Sequence, residues 1–199
     1  MAAVANEIHA ITPQLLSWSA YDPDCKVECF SSAYVSNGSL VLIDPIDLTP
    51  EAWDQLTSFG APRSIVVTSE NHLRSSEKFR TELRIPLIAS APARKELGAL
   101  PDVVFMFSET VHGLKPIFIP GATHGETAYI TNDGLLILGD SLINFPPALS
   151  LLPEKYLMEP ENYRESLKKL LTLDFDTAAF AHGKPIATGA KPLIAKVVS

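Results

Sequence analysis

The chain has 199 residues, with 16 Lys+Arg against 23 Asp+Glu, five His and two Cys. That length suits a single domain over residues 1–199, which can bury roughly 70% of its unfolded surface and needs no disulfide or structural metal to fold. A formal net charge of -7 repels phosphate backbones, so nucleic acid is not expected as a partner, and Cys25 and Cys29 are too few for a disulfide framework or a four-ligand zinc site.

The run Lys26–Phe30 alternates, and Ala33-Tyr34-Val35 leads into Asn37-Gly38, a hairpin signal because both residues tolerate positive φ. Leu40–Ile43 reads as a buried strand ending at Asp44-Pro45. Thr49 as N-cap, Pro50 at the first helical position and Glu51 at the positive end of the dipole predict a helix, which Gly60 stops. Ser64–Thr68 is the next strand, followed by a polar loop from Ser69 to Arg74 and a helix capped by Ser75 or Ser76. Pro86–Ala89 reads as a strand and Pro92–Leu97 as a short helix. This strand–helix rhythm predicts right-handed crossovers onto a sheet covered by helices.

The second half has a strand at Pro116–Ile119, running into the loop Pro120–Glu126. Thr127–Thr131 pairs with Leu135–Leu138 across Asn132-Asp133-Gly134, and Gly139-Asp140 ends that strand. Asn162 with Glu165 resembles a capping box, opening a helix whose apolar stripe includes Tyr163, Leu167 and Leu170. Ala178–Ala181 is a strand ending at His182-Gly183, and Pro192–Val198 a closing helix. The start, Met1 to Ala10, has no Lys or Arg and lacks the regions of a signal peptide, and no apolar run nears the ~20 residues that span a bilayer. A cytoplasmic protein with no membrane contact is the expectation.

Polar residues recur just after buried strands: Asp44, Asn71-His72, Asp140 and His182. Strand ends are where α/β folds place reactive groups, and imidazole and carboxylate suit zinc, iron or manganese. Taken singly, an Asp after a strand is a turn former and a lone His is structural; their recurrence points to chemistry. His9 and His112 fit no such position. Two thiols at Cys25 and Cys29, spaced i, i+4 in a strand-like segment, read as small buried residues rather than a redox pair. Ser69 lacks a nucleophile elbow, and no phosphate-binding Gly loop occurs.

The order Leu42-Ile43-Asp44-Pro45, Val66-Val67-Thr68, Ile119-Pro120-Gly121, Ile137-Leu138-Gly139-Asp140 and Phe180-Ala181-His182-Gly183 resembles the metallo-β-lactamase superfamily, from about Tyr34 to Pro185. The resemblance implies an α/β fold, a four-layer αββα sandwich with its site along one edge of two packed sheets. It also implies a hydrolase using one or two metal ions, and a bracing role for Asp44. The family signature Thr-His-x-His-x-Asp-His meets Thr68-Ser69-Glu70-Asn71-His72-Leu73-Arg74-Ser75 here. Without a gap, Ser69, Asn71, Leu73 and Arg74 replace the ligands; with a two-residue deletion, Asn71-His72 falls on the closing Asp-His pair. The deletion is preferred, because Leu73-Arg74-Ser75-Ser76 then matches the small residues before a helix. The family's Pro-Gly-His-Thr-x-Gly becomes Pro120-Gly121-Ala122-Thr123-His124-Gly125, with Ala122 in place of the His. Asp140 and His182 match the bridging carboxylate and the last His.

The resemblance therefore leaves at most a mononuclear site. His72, Asp140 and His182 are the expected ligands of one zinc, iron or manganese ion, or of none, with Asn71 assisting; His124 reads as an ordinary loop histidine that would add a contact if its loop folds inward. Asp140 and His72 are the expected catalytic pair, acting through metal-activated hydroxide on a small ester-like substrate. The alternative is an inactive relative that binds a small anionic ligand through Arg74, or a protein partner. Oligomeric state is open.

Overall fold

Side chains of a strand alternate between faces, so a strand apolar on both faces must lie between two layers. Leu40 and Leu42 point into one apolar cluster while Val41 and Ile43 point into another. The same split recurs in the second half, where Leu136 and Leu138 face one way and Leu135 and Ile137 the other. Two sheets sharing a central cluster, each with a helix-covered outer face, satisfy both patterns.

The structure is a computed structural model that describes residues 3–98, 100–105 and 109–199. Its first half runs β1 (Val4–Ala5), β2 (His9–Thr12), β3 (Leu15–Asp22), β4 (Val27–Ser36), β5 (Ser39–Ile43), β6 (Asp47–Leu48), α1 (Pro50–Thr57), β7 (Ala61–Val66), α2 (Ser76–Leu83), β8 (Leu87–Ser90), α3 (Ala91–Leu97) and β9 (Val103–Phe105). The second half runs β10 (Lys115–Phe118), β11 (Thr127–Ile130), β12 (Leu135–Leu138), β13 (Leu142–Phe145), β14 (Ala148–Leu151), α4 (Pro160–Lys168), β15 (Thr177–Phe180) and α5 (Ala190–Val198).

A seven-stranded sheet has the order β2-β3-β4-β5-β7-β8-β9, and a four-stranded sheet the order β10-β11-β12-β15. From β5 to β9 the larger sheet is parallel, as the strand–helix rhythm requires. Its helices bury Ala52, Leu56, Phe79, Ala93 and Leu97 against the outer face. Helices α4 and α5 cover the smaller sheet through Tyr163, Leu167, Ile194 and Val198. Between the sheets lie Leu15, Tyr34, Val41, Ile43, Val66, Tyr129, Ile137 and Ala179. This is the four-layer αββα sandwich.

Local signals explain most boundaries. Asn37 and Gly38 take φ of 51° and 72°, closing the β4–β5 hairpin. The Thr49 side chain caps α1 by accepting from the Ala52 N–H, and Pro50 starts the helix. The capping box at Asn162 is not formed: α4 opens at Pro160 after Glu159, and Asn162 lies inside it, donating its side-chain amide back to Glu159. Proline at the first helical position outweighed the box. The strands β2 and β3 and the hairpin β13–β14 lie outside the sequence expectation. Among the described residues, no helix is long and apolar enough to cross a membrane.

The two sheets meet at the ends of β5, β7, β12 and β15. There Phe30 N donates to Ala181 O at 2.9 Å, Thr127 N to Thr68 O at 2.8 Å, and the Tyr129 hydroxyl to Val67 O at 3.0 Å. These cross-sheet bonds hold four strand ends in one row, and the polar residues following each end face a common space.

Candidate metal centre

Asp44 follows β5 with φ of 47°, a left-handed conformation that Asp tolerates. Its Oδ1 accepts from the Thr68 N–H at 2.8 Å and its Oδ2 from the Thr68 hydroxyl at 2.6 Å. The Thr68 hydroxyl has one proton, and that proton goes to Asp44. Its oxygen can then only accept at the 2.7 Å contact with His72 Nδ1, so Nδ1 carries a hydrogen. Nδ1 also lies 3.1 Å from Asp44 Oδ2. Asp44 and Thr68 thus set the His72 tautomer and ring plane, leaving Nε2 to face the neighbouring groups.

A short 3₁₀ turn, Glu70–His72, capped by the Ser69 hydroxyl, swings His72 under the strand ends. His72 Nε2 lies 3.2 Å from Asp140 Oδ1, and His182 Nε2 lies 3.2 Å from the same oxygen. One ligand atom from each of His72, Asp140 and His182 lies within 4.8 Å of the others. Two imidazoles and a carboxylate at this spacing are a donor set that zinc accepts, with coordination positions left over. The buried His182 Nδ1 has no hydrogen-bond partner among the described residues.

Burial pushes His72 down, but the carboxylates of Asp140 and Asp44 outweigh it and hold the imidazole up at about 10. Burial likewise pushes Asp140 up, and the His72 charge with hydrogen bonds from both imidazoles reverses this, holding the carboxyl far below its usual range. Without a metal the cluster is therefore an imidazolium between two carboxylates.

Asn71 is exposed and lines the same cavity as the three. His124 is not brought in. It is exposed, its backbone N–H is tied to Glu70 Oε1 at 2.8 Å, and it lines a separate cavity with Pro92, Phe118 and Met158. The Glu70 anchor holds the loop with His124 as an ordinary loop histidine, the first of its two readings, and the inward turn is not made. Arg74 differs from expectation. Its guanidinium donates to the backbone carbonyls of Phe30, Asp44 and Ala181, the last two at 3.0 and 3.2 Å. It fastens the two sheets together at the base of the site. The thiols do not share a strand: Cys25 is exposed in the β3–β4 turn and Cys29 is buried in β4.

Glu126 was missed. It is 1% exposed, its Oε1 accepts from Ser141 N at 2.9 Å and its Oε2 from the Thr123 hydroxyl at 3.2 Å. It so joins the loop before β11 to the Gly139–Ser141 turn that carries Asp140. Gly139 is required there: a Cβ would sit 2.6 Å from Thr68 Oγ1 and 2.8 Å from Glu126 Oε1. The sequence signal for this bracing place is a carboxylate abutting the apolar strand Thr127–Ile130.

Burial, then repulsion from Asp140, pushes the Glu126 carboxyl up to about 8. The folded state keeps a proton that the unfolded chain releases near 4.5, so this group's stabilisation falls as pH rises from 4.5 towards 8. Glu126→Gln keeps the shape without the titration. Its urea midpoint should match the parent's at pH 4 and exceed it at pH 9; parallel curves across that range would refute the assignment.

A family model described as the metallo-beta-lactamase superfamily matches residues 8–189. The chain belongs to the metallo-β-lactamase superfamily. Solved metallo-β-lactamases share the architecture over nearly the whole chain. The DIM-1 enzyme exposed to ceftazidime superposes with a TM-score of 0.75 at 11% identity, covering 98% of this chain and 99% of that one. FIM-1 from Pseudomonas aeruginosa, in its mono-zinc form, gives 0.76 at 13% identity, with coverage of 99% and 96%. The metallo-β-lactamase from Pontibacter korlensis gives 0.74 at 15% identity, with 95% of each chain covered. At these identities the likeness is one of fold. No curated protein matches by sequence. Within the metallo-β-lactamase fold, this chain puts its His–Asp–His group at the shared edge of the two sheets, with Ala122 buried where the family pattern has a His.

Proposed function

We propose that this metallo-β-lactamase-fold chain is a metal-dependent hydrolase holding one ion through His72, Asp140 and His182 and acting on a small ester-like substrate. The convergence of the three donor atoms within 4.8 Å carries the reading. A metal bound there would supply a water of lowered pKa and charge stabilisation for the developing oxyanion. Hydrolysis forms one bond from the water oxygen to the carbonyl carbon and breaks the bond to the alkoxide or thiolate, which leaves with a proton.

The chain's own residues prepare this. Asp44 and Thr68 keep the His72 Nδ1 proton in place, so that Nε2 is the atom offered to the ion. Asp140 supplies the negative charge between the two imidazoles, and Asn71 adds a neutral polar group at the cavity edge. An inactive anion-binding role through Arg74 is less favoured, because three of its five N–H groups are held by backbone carbonyls.

Titration of metal-stripped protein with zinc, followed by calorimetry, should show one site per chain. His182→Ala should remove that site while leaving the circular-dichroism spectrum unchanged. Failure of the parent to take up zinc, iron or manganese would overturn the proposal.

A further inference from the structure

The cavity over the His–Asp–His group has a volume of about 550 Å³, within the range of roughly 300–1,000 Å³ typical of small-molecule sites. Its floor is polar, made by His72, Asp140 and His182, and one wall is apolar, made by Ile143, Phe145, Leu152 and Tyr156. The wall comes from the β13–β14 hairpin and the segment after it. Asn144 N donates to His182 O at 2.9 Å, which ties the hairpin to the strand end bearing the histidine. Phe145 accordingly lies beside the floor, with ring centroids 6.5 Å from His182 and 6.2 Å from Phe30.

The charged groups around the space are already engaged: His72 lies between the carboxylates of Asp44 and Asp140, and Arg74 places three of its five N–H groups on backbone carbonyls, with Asp22 a further carboxylate in the lining. Lys155 is outside the lining, with its ammonium 4.6 Å from the Tyr156 ring centroid. A carboxylate or phosphate entering here would lose water and meet cationic groups that carboxylates and backbone carbonyls already partner. An apolar group of phenyl or butyl size would cover the wall and gain from burial.

We infer that this cavity selects a small neutral ligand, an ester or thioester whose compact apolar group lies against Phe145, Ile143, Leu152 and Tyr156 while its carbonyl faces His182 and Asp140. As the substrate of the reaction, this ligand rests on the hydrolase reading; as a binding preference, it does not.

The test uses full-length metal-free protein and nuclear magnetic resonance titration. The probes are 4-phenyl-2-butanone, a neutral non-hydrolysable stand-in for an ester, with 3-phenylpropanoate and phenyl phosphate as anions of similar size. The ketone should bind at least about fivefold more tightly than either anion, with shifts at Phe145 and His182. Phe145→Leu and the exposed-site variant Tyr156→Ala should each weaken it about threefold or more without changing the fold. Zinc-loaded protein should then cleave p-nitrophenyl butyrate in preference to p-nitrophenyl phosphate. Ketone binding without cleavage would uphold the selectivity and defeat the hydrolase reading. Equal or tighter binding of either anion, no binding of the ketone, or binding indifferent to both variants would overturn the inference.

Discussion

Asp140→Asn is expected to abolish zinc uptake and to lower the stability of the metal-free protein by about 3 kcal/mol, the cost typical of removing one partner from a buried ion pair. Asp140 Oδ1 sits 3.2 Å from both His72 Nε2 and His182 Nε2, so the amide removes the single charge both imidazoles face. The pH dependence follows from opposite shifts. Asp140 is held below its ordinary value of 3.8, so its contribution is present above 3.8 and is lost as pH falls further. His72 is held up at about 10, so its contribution is complete below 6.5 and is lost as pH rises through 10. The variant's deficit should therefore be largest between 3.8 and 6.5 and should shrink at alkaline pH. Urea unfolding at pH 5 and pH 10 measures this. Equal deficits at both would show that His72 is not a charged partner of Asp140.

Arg74→Met is the second large effect. The guanidinium donates to Phe30 and Asp44 in the larger sheet and to Ala181 at the end of the smaller one. Hydrogen bonds to charged groups contribute about 1.5–3 kcal/mol each, and partial exposure lets water replace some of that. A loss of about 3 kcal/mol, or roughly 6–12 °C in Tm for a chain of this size, is expected. Arg74→Lys should recover little, because an ammonium cannot bridge three carbonyls as a planar fork does. Calorimetry of both variants checks this; a Tm within about two degrees of the parent would show that the fork is dispensable.

Much of the fold could be read from strand patterning. Leu40–Ile43 and Leu135–Leu138 are apolar on both faces, which in a parallel or central strand means burial between layers. Strands β3, β13 and β14 lack that pattern. Ser17 and Ser19 interrupt β3, and Pro146-Pro147 makes the β13–β14 connection look like an ordinary loop because proline donates no ladder bond. That hairpin carries Phe145, so the apolar wall of the cavity was hidden with it.

The site was legible where a polar residue stands within two positions of a buried strand's end. Asp44, Asp140 and His182 are of this kind, since the strand fixes where the chain emerges. His72 depended on the length of a turn, and an ungapped reading put Leu73 and Arg74 in ligand positions instead. The bracing place of Glu126 left almost no trace, because it comes from Ser141 and Thr123 closing around the carboxylate.

The sequence by itself determined an α/β chain with strands apolar on both faces, through local periodicity. Its resemblance to the metallo-β-lactamase superfamily implied the two-sheet sandwich, the ligand-poor loops at Ser69–Asn71 and Ala122, and the two surviving groups Asp140 and His182. Only the tertiary structure decided that His72 completes the group, that His124 stays outside it, and that Arg74 ties sheets rather than gripping a ligand. Each of those outcomes hangs on a hydrogen bond between residues far apart in the chain: Thr68 to Asp44, His124 to Glu70, Arg74 to Ala181. Such bonds have no periodicity, so no pattern in the sequence announces them.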